Sequence, residues 1–478
     1  MADWGSALTA CLQALLVIER ELLWFAVFWF VIGTVDEIAV DLCWLGLRLT
    51  RRVQPLAIGR DVAQRPLAGK AAVLIATWRE AEVIADTIRH MLQAWIQRDY
   101  VIYVGCYRND NRTISAVIAA AGNDPRVRLV IHGHDGPTTK ADCLNRLYRA
   151  LELDEARCGQ RCRSVLIHDA EDMVHPAALA LIDRGLDAVD FVQLPVRPEP
   201  QRRSRWIAGH YSDEFCESHA KGLVVRDALG AAIPAAGVGC GFARAALDRL
   251  AALRQAEGEN GPFAAQSLTE DYELGLLLSR GGRGSRFLRL HDADGALVAT
   301  RSYFPAELTD AVRQKTRWMH GIAFQGWDRL GWTARPVDFW MALRDRRGPL
   351  IALVLAISYA LLMIEAVLWI ARLLGFGATL PVTPTMAVMM GIALFGMLWR
   401  ALFRLAFTAH EYGLREGLLA LARIPVANVI AIMAGRRALM GYVRSLQGQA
   451  VIWEKTRHTD HPAQAAALAP LIPREVPA

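Results

Sequence analysis

Three long apolar runs, at 22–42, 349–371 and 386–402, lie toward the two ends of the chain and enclose a more polar middle. A helix needs roughly 20 mostly apolar residues to cross the hydrocarbon core of a bilayer. The mean hydropathy of +0.21 and the hydrophobic content of 53% are also high for a soluble protein. The runs therefore predict three membrane-spanning helices, one at 1–50 and two forming a hairpin at 349–410, around a water-exposed domain at 51–348.

Arginines are distributed unevenly about these runs. Five lie between positions 48 and 65, whereas only Arg20 precedes the first run, and Arg344, Arg346 and Arg347 precede the second. Basic residues accumulate on the cytoplasmic side of membrane proteins, so we expect the N-terminus outside and the domain in the cytosol. The net charge of +6 then reflects membrane topology and lipid contact, and no nucleic-acid partner is expected.

Three acids interrupt the cytoplasmic third of the first run. Asp36, Glu37 and Asp41 could be solvated at the helix end, or they could pair with arginines. The sequence alone leaves both alternatives open.

The segment 411–460 contains an apolar stretch that is broken by Arg423, Pro425 and Asn428 and followed by several cations. If this stretch were a fourth span, those cations would lie outside the cytoplasmic membrane. An interfacial amphipathic helix would instead keep them at the anionic inner leaflet, and this is the arrangement that we expect. The Ala/Pro-rich tail at 461–478 is predicted to be disordered.

The middle of the chain alternates short β-rich runs with helical stretches. This pattern is typical of an α/β domain with an open, mostly parallel sheet of about five core strands. The five runs are KAAVLIATW, YVIYVGCY, RVRLVIHG, SVLIHD and DFVQLPV.

Acidic residues follow the fourth of these runs directly, at Asp169, Glu171 and Asp172. Ligands of open α/β sheets bind at the carboxyl ends of strands, and clustered acids repel one another unless a cation joins them. A divalent metal that holds a diphosphate would satisfy them. The alternative is that these acids cap the next helix.

Two further segments carry residues suited to group transfer. Glu270 and Asp271 precede an apolar-periodic helix, where a carboxylate could act as a general base or could lie beside a helix cap formed by Ser267 or Thr269. Lys140 could bind phosphate or could be a surface lysine at a helix start.

The stretch RQKTRWMHG places Gln314, Arg317 and Trp318 at positions i, i+3 and i+4, so on a helix they share one face. Cations that flank a membrane helix would explain Arg313 and Lys315, but they would not explain this spacing. We expect Arg317 to hold a phosphate and Trp318 to offer its ring to a sugar.

Taken in order, these motifs resemble the series found in membrane-bound glycosyltransferase family 2, which includes cellulose, chitin and hyaluronan synthases. The resemblance covers about 70–330, and VGCYRNDNRT, YSDEFCESH, GVGCGFARAAL and QGQAVIWEKTRH resemble its phage adsorption protein B branch most. It implies a GT-A fold, which is a Rossmann-like open, mostly parallel sheet, with transmembrane helices at both ends.

The resemblance also implies residue roles. Asp169 stands at the metal and diphosphate position, with Glu171 or Asp172 as the second ligand of Mg²⁺ or Mn²⁺. Asp271, beside Glu270, matches the general base. The loop GVGCGF matches an acceptor-pocket loop. The residues implied for the nucleotide sugar are Glu80, Asp110, Lys140, Asp169, Gln314, Arg317 and Trp318.

The function implied is an inverting hexosyl- or N-acetylhexosaminyltransferase of the bacterial inner membrane. It would move sugar from a nucleotide sugar, expected to be a UDP-sugar, onto a growing exopolysaccharide. Alternatives are a transferase that adds one sugar to a lipid carrier, and a receptor or scaffold with a degenerate enzyme domain. Three spans are few for a polysaccharide channel, so an oligomer or an outer-membrane export partner is expected. The branch often carries a C-terminal domain that binds cyclic di-GMP, which is not expected in this chain.

Overall fold

The domain is built on a seven-stranded sheet whose strand order is β4-β3-β2-β5-β8-β6-β9. The computed structural model describes residues 2–54, 56–376, 379, 381–449 and 460–464. The strands are β1 Leu56–Ala57, β2 Ala71–Ala76, β3 Tyr100–Tyr107, β4 Val127–His132, β5 Ser164–His168, β6 Phe191–Gln193, β7 Val196–Pro198, β8 Cys240–Ala243, β9 Ser285–Phe287, β10 Leu290–His291 and β11 Thr300–Ser302.

The four strands β4, β3, β2 and β5 are parallel neighbours, and all their carboxyl ends meet at one edge. Strands β2, β3 and β5 are buried along nearly their whole length, which explains why they are continuous apolar runs without alternation. All five predicted runs form strands of this sheet, so the expected α/β fold with a mostly parallel sheet is confirmed.

Strand β8 is antiparallel to both of its neighbours, β5 and β6. It arises from the second half of GVGCGF, which is expected to be a loop. Gly241 fits here because an added Cβ would lie 2.1 Å from Cγ2 of Ile182, on the helix that covers the sheet. A strand of four residues without any β-branched side chain carries little of the β-branched signal that marks the other strands.

Helices cover the sheet and extend from it at both ends of the chain. They are α1 Ala2–Leu49, α2 Ile84–Ala94, α3 Asn111–Ala121, α4 Lys140–Cys158, α5 Ala178–Gly185, α6 Ile207–Glu217, α7 Leu223–Ala228, α8 Arg244–Ala256, α9 Glu270–Arg280, α10 Leu308–Met319, α11 Gly326–Leu330, α12 Pro336–Arg346, α13 Gly348–Leu373, α14 Pro384–Tyr412 and α15 Leu414–Leu446, with a 3₁₀ segment at Arg60–Gln64 and π-helical segments at Ser218–Gly222 and His320–Gln325.

Within the described residues, α13, α14 and α15 are long and apolar enough to cross a membrane, judged by length and composition. Helices α13 and α14 correspond to the predicted hairpin, and α1 packs along both of them. A membrane-spanning role for α1 stays a prediction. Helix α15 is a third C-terminal candidate where the sequence pattern predicts an interfacial helix.

Helix α15 packs against the sheet-bearing domain along much of its length. Arg423 forms a buried ion pair with Asp213 of α6, with 2.6 Å between Nη2 and Oδ1. Further along, Ile430 packs with Tyr211 of the same helix, and the Tyr442 hydroxyl donates to Asp328. These contacts join α15 to the domain, and α15 also packs along α13 and α14. Its placement at the membrane interface stays a prediction.

The three acids of α1 are paired and not solvated. Asp36 accepts a 2.7 Å hydrogen bond from the indole of Trp340 and pairs with Arg344 and Arg347. Glu37 pairs with the same arginines and with Arg400, and Asp41 pairs with Lys221. Pairing with arginines is therefore observed for Asp36 and Glu37, whereas Asp41 pairs with a lysine. These pairs tie α1 to α12, to the start of α13 and to α14.

Part of the predicted disordered tail is ordered and packed on the domain, so the prediction is wrong for 461–464. The His461 side chain is buried, with Nε2 3.4 Å from the carbonyl oxygen of Asp172, and Gln464 donates a 2.6 Å hydrogen bond to Asp86. These contacts span 289 and 378 positions of sequence, and composition cannot reveal such partners. The remainder of the tail, 465–478, lies outside the described residues.

Candidate active site

The carboxyl end of β5 and the start of α4 bring Asp169 and Lys140 together. Asp169 is the first residue after β5, and Lys140 is the first residue of α4, where Thr139 caps the helix by accepting the amide of Asp142 at 3.2 Å. The Lys140 ammonium lies 2.6 Å from Oδ1 of Asp169. The pair is partly accessible, with side chains 16% and 37% exposed, so a ligand can reach it.

Asp271 adjoins this pair at the start of α9. Gly237, in the loop before β8, has φ +76°, and a Cβ added there would lie 2.3 Å from Oδ2 of Asp271 and 3.4 Å from Nζ of Lys140. The backbone of GVGCGF thus passes directly beside both side chains. Only glycine permits this conformation and this approach without strain.

The acids at the start of α9 sit in an environment that favours their protonated forms. Burial raises the pKa of Glu270 to about 7; Asp271 adds to this rise, and Lys140 opposes it. Burial also raises the pKa of Asp271, again against Lys140. Burial alone would lower the pKa of Lys140, but Asp169, Glu270 and Asp271 together raise it. A raised carboxyl pKa improves a general base that works near neutral pH.

The alternative roles of these acids as helix caps are not observed. Helix α5 begins after Ala177 with no side-chain cap, although Asp169 and Asp172 precede it. Helix α9 begins after Thr269, whose side chain makes no capping hydrogen bond; the Thr269 amide instead donates to the Ser267 hydroxyl at 3.3 Å.

Asp172, the last residue of the Asp169–Ala–Glu–Asp turn, is internal. Oδ2 of Asp172 lies 2.9 Å from Nδ1 of His168 and accepts the amide of Asp169 at 3.0 Å, and its side chain is 1% exposed. Burial raises the pKa of Asp172, and His168 counteracts this rise. The Asp172 carboxylate therefore shapes the turn that presents Asp169.

Asp169 and Glu171 fit a divalent metal better than Asp172 does. Both precede α5 on one turn, and carboxylate oxygens are the ligands that Mg²⁺ and Mn²⁺ prefer. Asp169 already accepts a cation, the Lys140 ammonium, and over a third of its side chain is exposed. The donor set of the turn is thus suited to a metal that bridges it to a phosphate.

Asp110 lines an open cleft of about 470 Å³ beside the ends of β2 and β3. It caps α3 and accepts the backbone amide of Arg79 at 2.6 Å, which draws the loop after β2 toward α3. Glu80 is buried next to it, and its amide donates to the Thr113 hydroxyl at 3.0 Å. The cleft lies along the same sheet edge as Asp169, where a nucleoside would be expected.

Gln314, Arg317 and Trp318 lie on α10, with the spacing that the sequence predicts. Arg317 is close enough to Glu270 and Asp271 to oppose, in small part, the rise that burial causes in the pKa of both. Among the described residues, Oε1 of Gln314 is buried without a hydrogen-bond partner. Such an orphaned acceptor is unfavourable unless a ligand or water satisfies it.

Trp318 is half-buried in an aromatic group. Its ring centroid lies 6.1 Å from that of Tyr211, 6.3 Å from that of Phe215 and 6.5 Å from that of Phe304. These neighbours fix the ring orientation, the Lys315 ammonium lies 5.3 Å from the ring centroid, and part of the indole remains exposed.

Two contacts that support the site were not anticipated. Asn145 makes paired hydrogen bonds to the backbone of Phe263, at 2.8 and 3.0 Å, and so fixes the loop before α9. Gly321, just after α10, faces Thr269; an added Cβ would lie 2.4 Å from the Thr269 hydroxyl oxygen. Asn145 lies on α4 five positions after Lys140, but its partner is 118 positions away along the chain.

Comparisons with known proteins identify the family of the chain. The model of a family described as glycosyltransferase like family 2 matches residues 68–321. Bacteriophage adsorption protein B of Escherichia coli K12 is 32% identical over 464 residues, covering 91% of this chain and 61% of that protein. Bacteriophage N4 adsorption protein B of Escherichia coli O157:H7 matches to the same extent. The chain thus spans about three fifths of the length of these curated relatives.

A mannosyltransferase from Pyrobaculum calidifontis, solved with GDP-Man and Mn²⁺, is 16% identical with a TM-score of 0.49, covering 90% of this chain and 99% of that one. Glucosyl-3-phosphoglycerate synthase from Mycobacterium tuberculosis is 16% identical with a TM-score of 0.34, covering 56% and 82%. The family model matches just over half of the chain, across the sheet and both acidic turns. The chain therefore belongs to glycosyltransferase family 2. It has a GT-A domain and a helical C-terminal region that holds three candidate membrane spans.

Proposed function

We propose that this chain is an inverting glycosyltransferase of the bacterial inner membrane that transfers sugar from a nucleotide sugar, with UDP-sugar as the expected donor, to a growing exopolysaccharide. The observation that carries the proposal is that Lys140 pairs with Asp169 and lies, together with Asp271, beside the backbone of Gly237. A cation, a metal-type carboxylate and a buried base thus meet at one edge of the sheet.

The donor would lie along this edge, with its nucleoside in the cleft at Asp110 and its diphosphate toward Asp169. A bound Mg²⁺ or Mn²⁺ would supply positive charge to the departing diphosphate. Lys140 and Arg317 add fixed positive charge where the negative charge of the leaving group develops, which stabilises the transition state more than the ground state.

Asp271 would accept the proton of the attacking acceptor hydroxyl. Its raised pKa suits this role, because a base with a pKa nearer to the working pH holds the proton more effectively during attack. Direct attack on the face opposite the diphosphate inverts the anomeric centre. Retention by double displacement would need a second nucleophile.

The acceptor is expected to lie between GVGCGF and Trp318. The orphaned Oε1 of Gln314 and the exposed part of the Trp318 ring suit a sugar, which offers both hydroxyl donors and an apolar face. The curated relatives are named for bacteriophage adsorption, and a polymer secreted through the envelope is a surface that phage can meet. Export would need an outer-membrane partner or an oligomer.

A second candidate function is the transfer of one sugar to a lipid carrier. It is favoured by the position of Met319, the last residue of α10, whose side chain packs against Gly348 at the start of α13. The acceptor side of the site is therefore adjacent to the first C-terminal candidate span, where a lipid phosphate could approach from the headgroup layer.

A panel of radiolabelled nucleotide sugars with the purified full chain separates these functions. A ladder of lengthening products from one donor is the expected result. Products of one sugar only, with no ladder, would refute polymer synthesis, and an acid-labile labelled lipid as the sole product would establish the second candidate.

A further inference from the structure

A group of metal-binding side chains lies apart from the diphosphate turn, between the end of β4 and the first turn of α4. It consists of His132, His134 and Asp142, and the ligand atoms that these three residues offer all lie within 4.8 Å of one another. His132 ends β4, His134 lies in the following loop, and Asp142 is the third residue of α4. Neither histidine is part of the site proposed above.

His132 is the most telling member of the group. Its side chain is 2% exposed, and its ring stacks on Tyr107, with centroids 4.4 Å apart. Within the described part of the chain, its Nε2 is buried without a hydrogen-bond partner. A buried imidazole nitrogen without a partner is costly, and nearly all such groups in native proteins are satisfied by a partner, water or an ion.

The neighbours of the other two residues prepare them as ligands. Nδ1 of His134 lies 3.3 Å from the carbonyl oxygen of Asp135. When Nδ1–H donates to this oxygen, the free lone pair of the ring is on Nε2. Nε2 lies 3.6 Å from Oδ2 of Asp142. The Thr138 hydroxyl donates to the same carboxylate oxygen at 2.7 Å. Metal-binding histidines and carboxylates are oriented by second partners of this kind.

We propose that His132, His134 and Asp142 form a binding site for a divalent transition metal of the zinc class, separate from the diphosphate metal. Two imidazoles and one carboxylate match the preference of Zn²⁺, whereas Mg²⁺ favours oxygen ligands alone. Ligand atoms around tetrahedral zinc stand about 3.4 Å apart, so the group must contract by roughly 1 Å to close on the ion. Burial lowers the pKa of His132 to about 4, which keeps its ring neutral, as a ligand must be.

A metal here would fix the loop that leads to Lys140. The same loop is held to the nucleoside side of the domain by Asn109, which exchanges hydrogen bonds with Gly136 at 2.9 and 3.0 Å. The ion would therefore staple the end of β4 to the start of α4, and it would set the position of the Lys140 ammonium relative to Asp169. The evidence for this metal site is the geometry of the loop and does not involve glycosyl transfer. The metal site can therefore be tested independently of the proposed function.

The test is a titration of tag-free, EDTA-stripped full chain with Co²⁺, followed by the visible d–d absorption of the bound ion. The expected result is one equivalent of Co²⁺ with the intense spectrum of a four-coordinate site, displaced by Zn²⁺ and not by Mg²⁺. His134→Ala is expected to weaken binding at least about 10-fold, because it removes a ligand. Half of the His134 side chain is exposed, so this substitution leaves the core intact.

Two variants serve as controls. Asp169→Asn removes the proposed ligand of the diphosphate metal and is expected to leave the Co²⁺ spectrum unchanged. His410→Ala removes an exposed imidazole elsewhere and, as a control, is also expected to leave the Co²⁺ spectrum unchanged. Absence of a four-coordinate spectrum in the wild type would overturn the proposal. So would an unchanged spectrum in His134→Ala, or loss of the spectrum in Asp169→Asn.

Discussion

Nζ of Lys140 lies 2.6 Å from Oδ1 of Asp169, joining the first residue of α4 to the first residue after β5. Of these two charged groups, only the Lys140 ammonium can bind phosphate directly. Lys140→Gln removes this charge and preserves much of the side-chain length. We expect kcat/KM for the donor to fall about 100-fold or more, since a charge placed at the leaving group acts mainly in the transition state. Steady-state kinetics with the donor identified by the panel measures this, and Arg98→Gln, an exposed cation, is the control.

Gly237→Ala tests the close approach of the backbone to Asp271. The new Cβ would overlap Oδ2 of Asp271, so we expect transfer activity to be lost. Gly230→Ala is the matched control, because Gly230 has φ +64° but no atom within 4 Å of an added Cβ. It should cost about 1–2 kcal/mol of stability from backbone strain and should retain activity. Equal activity of the two variants would argue against a site at Gly237.

Trp318→Ala tests the acceptor side. We expect the variant to fold and insert but to lose elongation, because the sugar loses an apolar ring face, and product length on gels measures the loss. Trp327→Ala is the control, since that ring is 54% exposed and lies outside the site. Trp318→Phe should recover part of the elongation; no recovery together with a lower melting temperature would indicate a packing role alone.

The raised pKa of Glu270 predicts that the stability of the folded chain depends on pH. Its pKa is about 7 in the folded chain and 4.5 ordinarily, so between these values the folded state holds a proton that the unfolded state releases. Stability is therefore lost as pH rises from about 4.5 through 7, by up to roughly 3 kcal/mol. Glu270→Gln should remove this loss, so its melting temperature should exceed that of the wild type more at pH 8.5 than at pH 5.5. An equal difference at both pH values would contradict the assignment.

The attachment of α15 depends on the buried pair of Arg423 and Asp213, whose side chains are 1% and 0% exposed. Arg423→Ala leaves the Asp213 carboxylate buried without its partner, which typically costs about 3–5 kcal/mol. The melting temperature should fall clearly, and protease cleavage near α15 should become faster. Arg436→Ala, an exposed arginine of the same helix, should change neither.

The local pattern of apolar and polar residues was enough to predict the parallel strands and the helix that carries Gln314, Arg317 and Trp318. Both depend on periodicity and on motif spacing, which are local properties of the sequence. The acids that follow β5 could be located in the same way, but which carboxylate turns inward could not. That choice is made by His168, which is buried against Asp172 in the folded turn.

Contacts between distant segments escaped prediction. The pairing of Asp36 with Arg344, the partner of Asn145 and the docking of His461 each join residues more than 100 positions apart. Nothing in the composition of either segment specifies such a partner. The short antiparallel strand β8 was missed for a related reason, because its pairing with β5 and β6 compensates for its weak intrinsic preference.

The most direct test of the account is the turnover of Asp271→Asn in the nucleotide-sugar assay, with the folded state checked by its melting temperature. The substitution keeps the size of the side chain and removes the base. If Asp271 is the base, we expect a folded protein whose transfer rate falls about 100-fold or more. Wild-type turnover in this variant would contradict catalysis at this site.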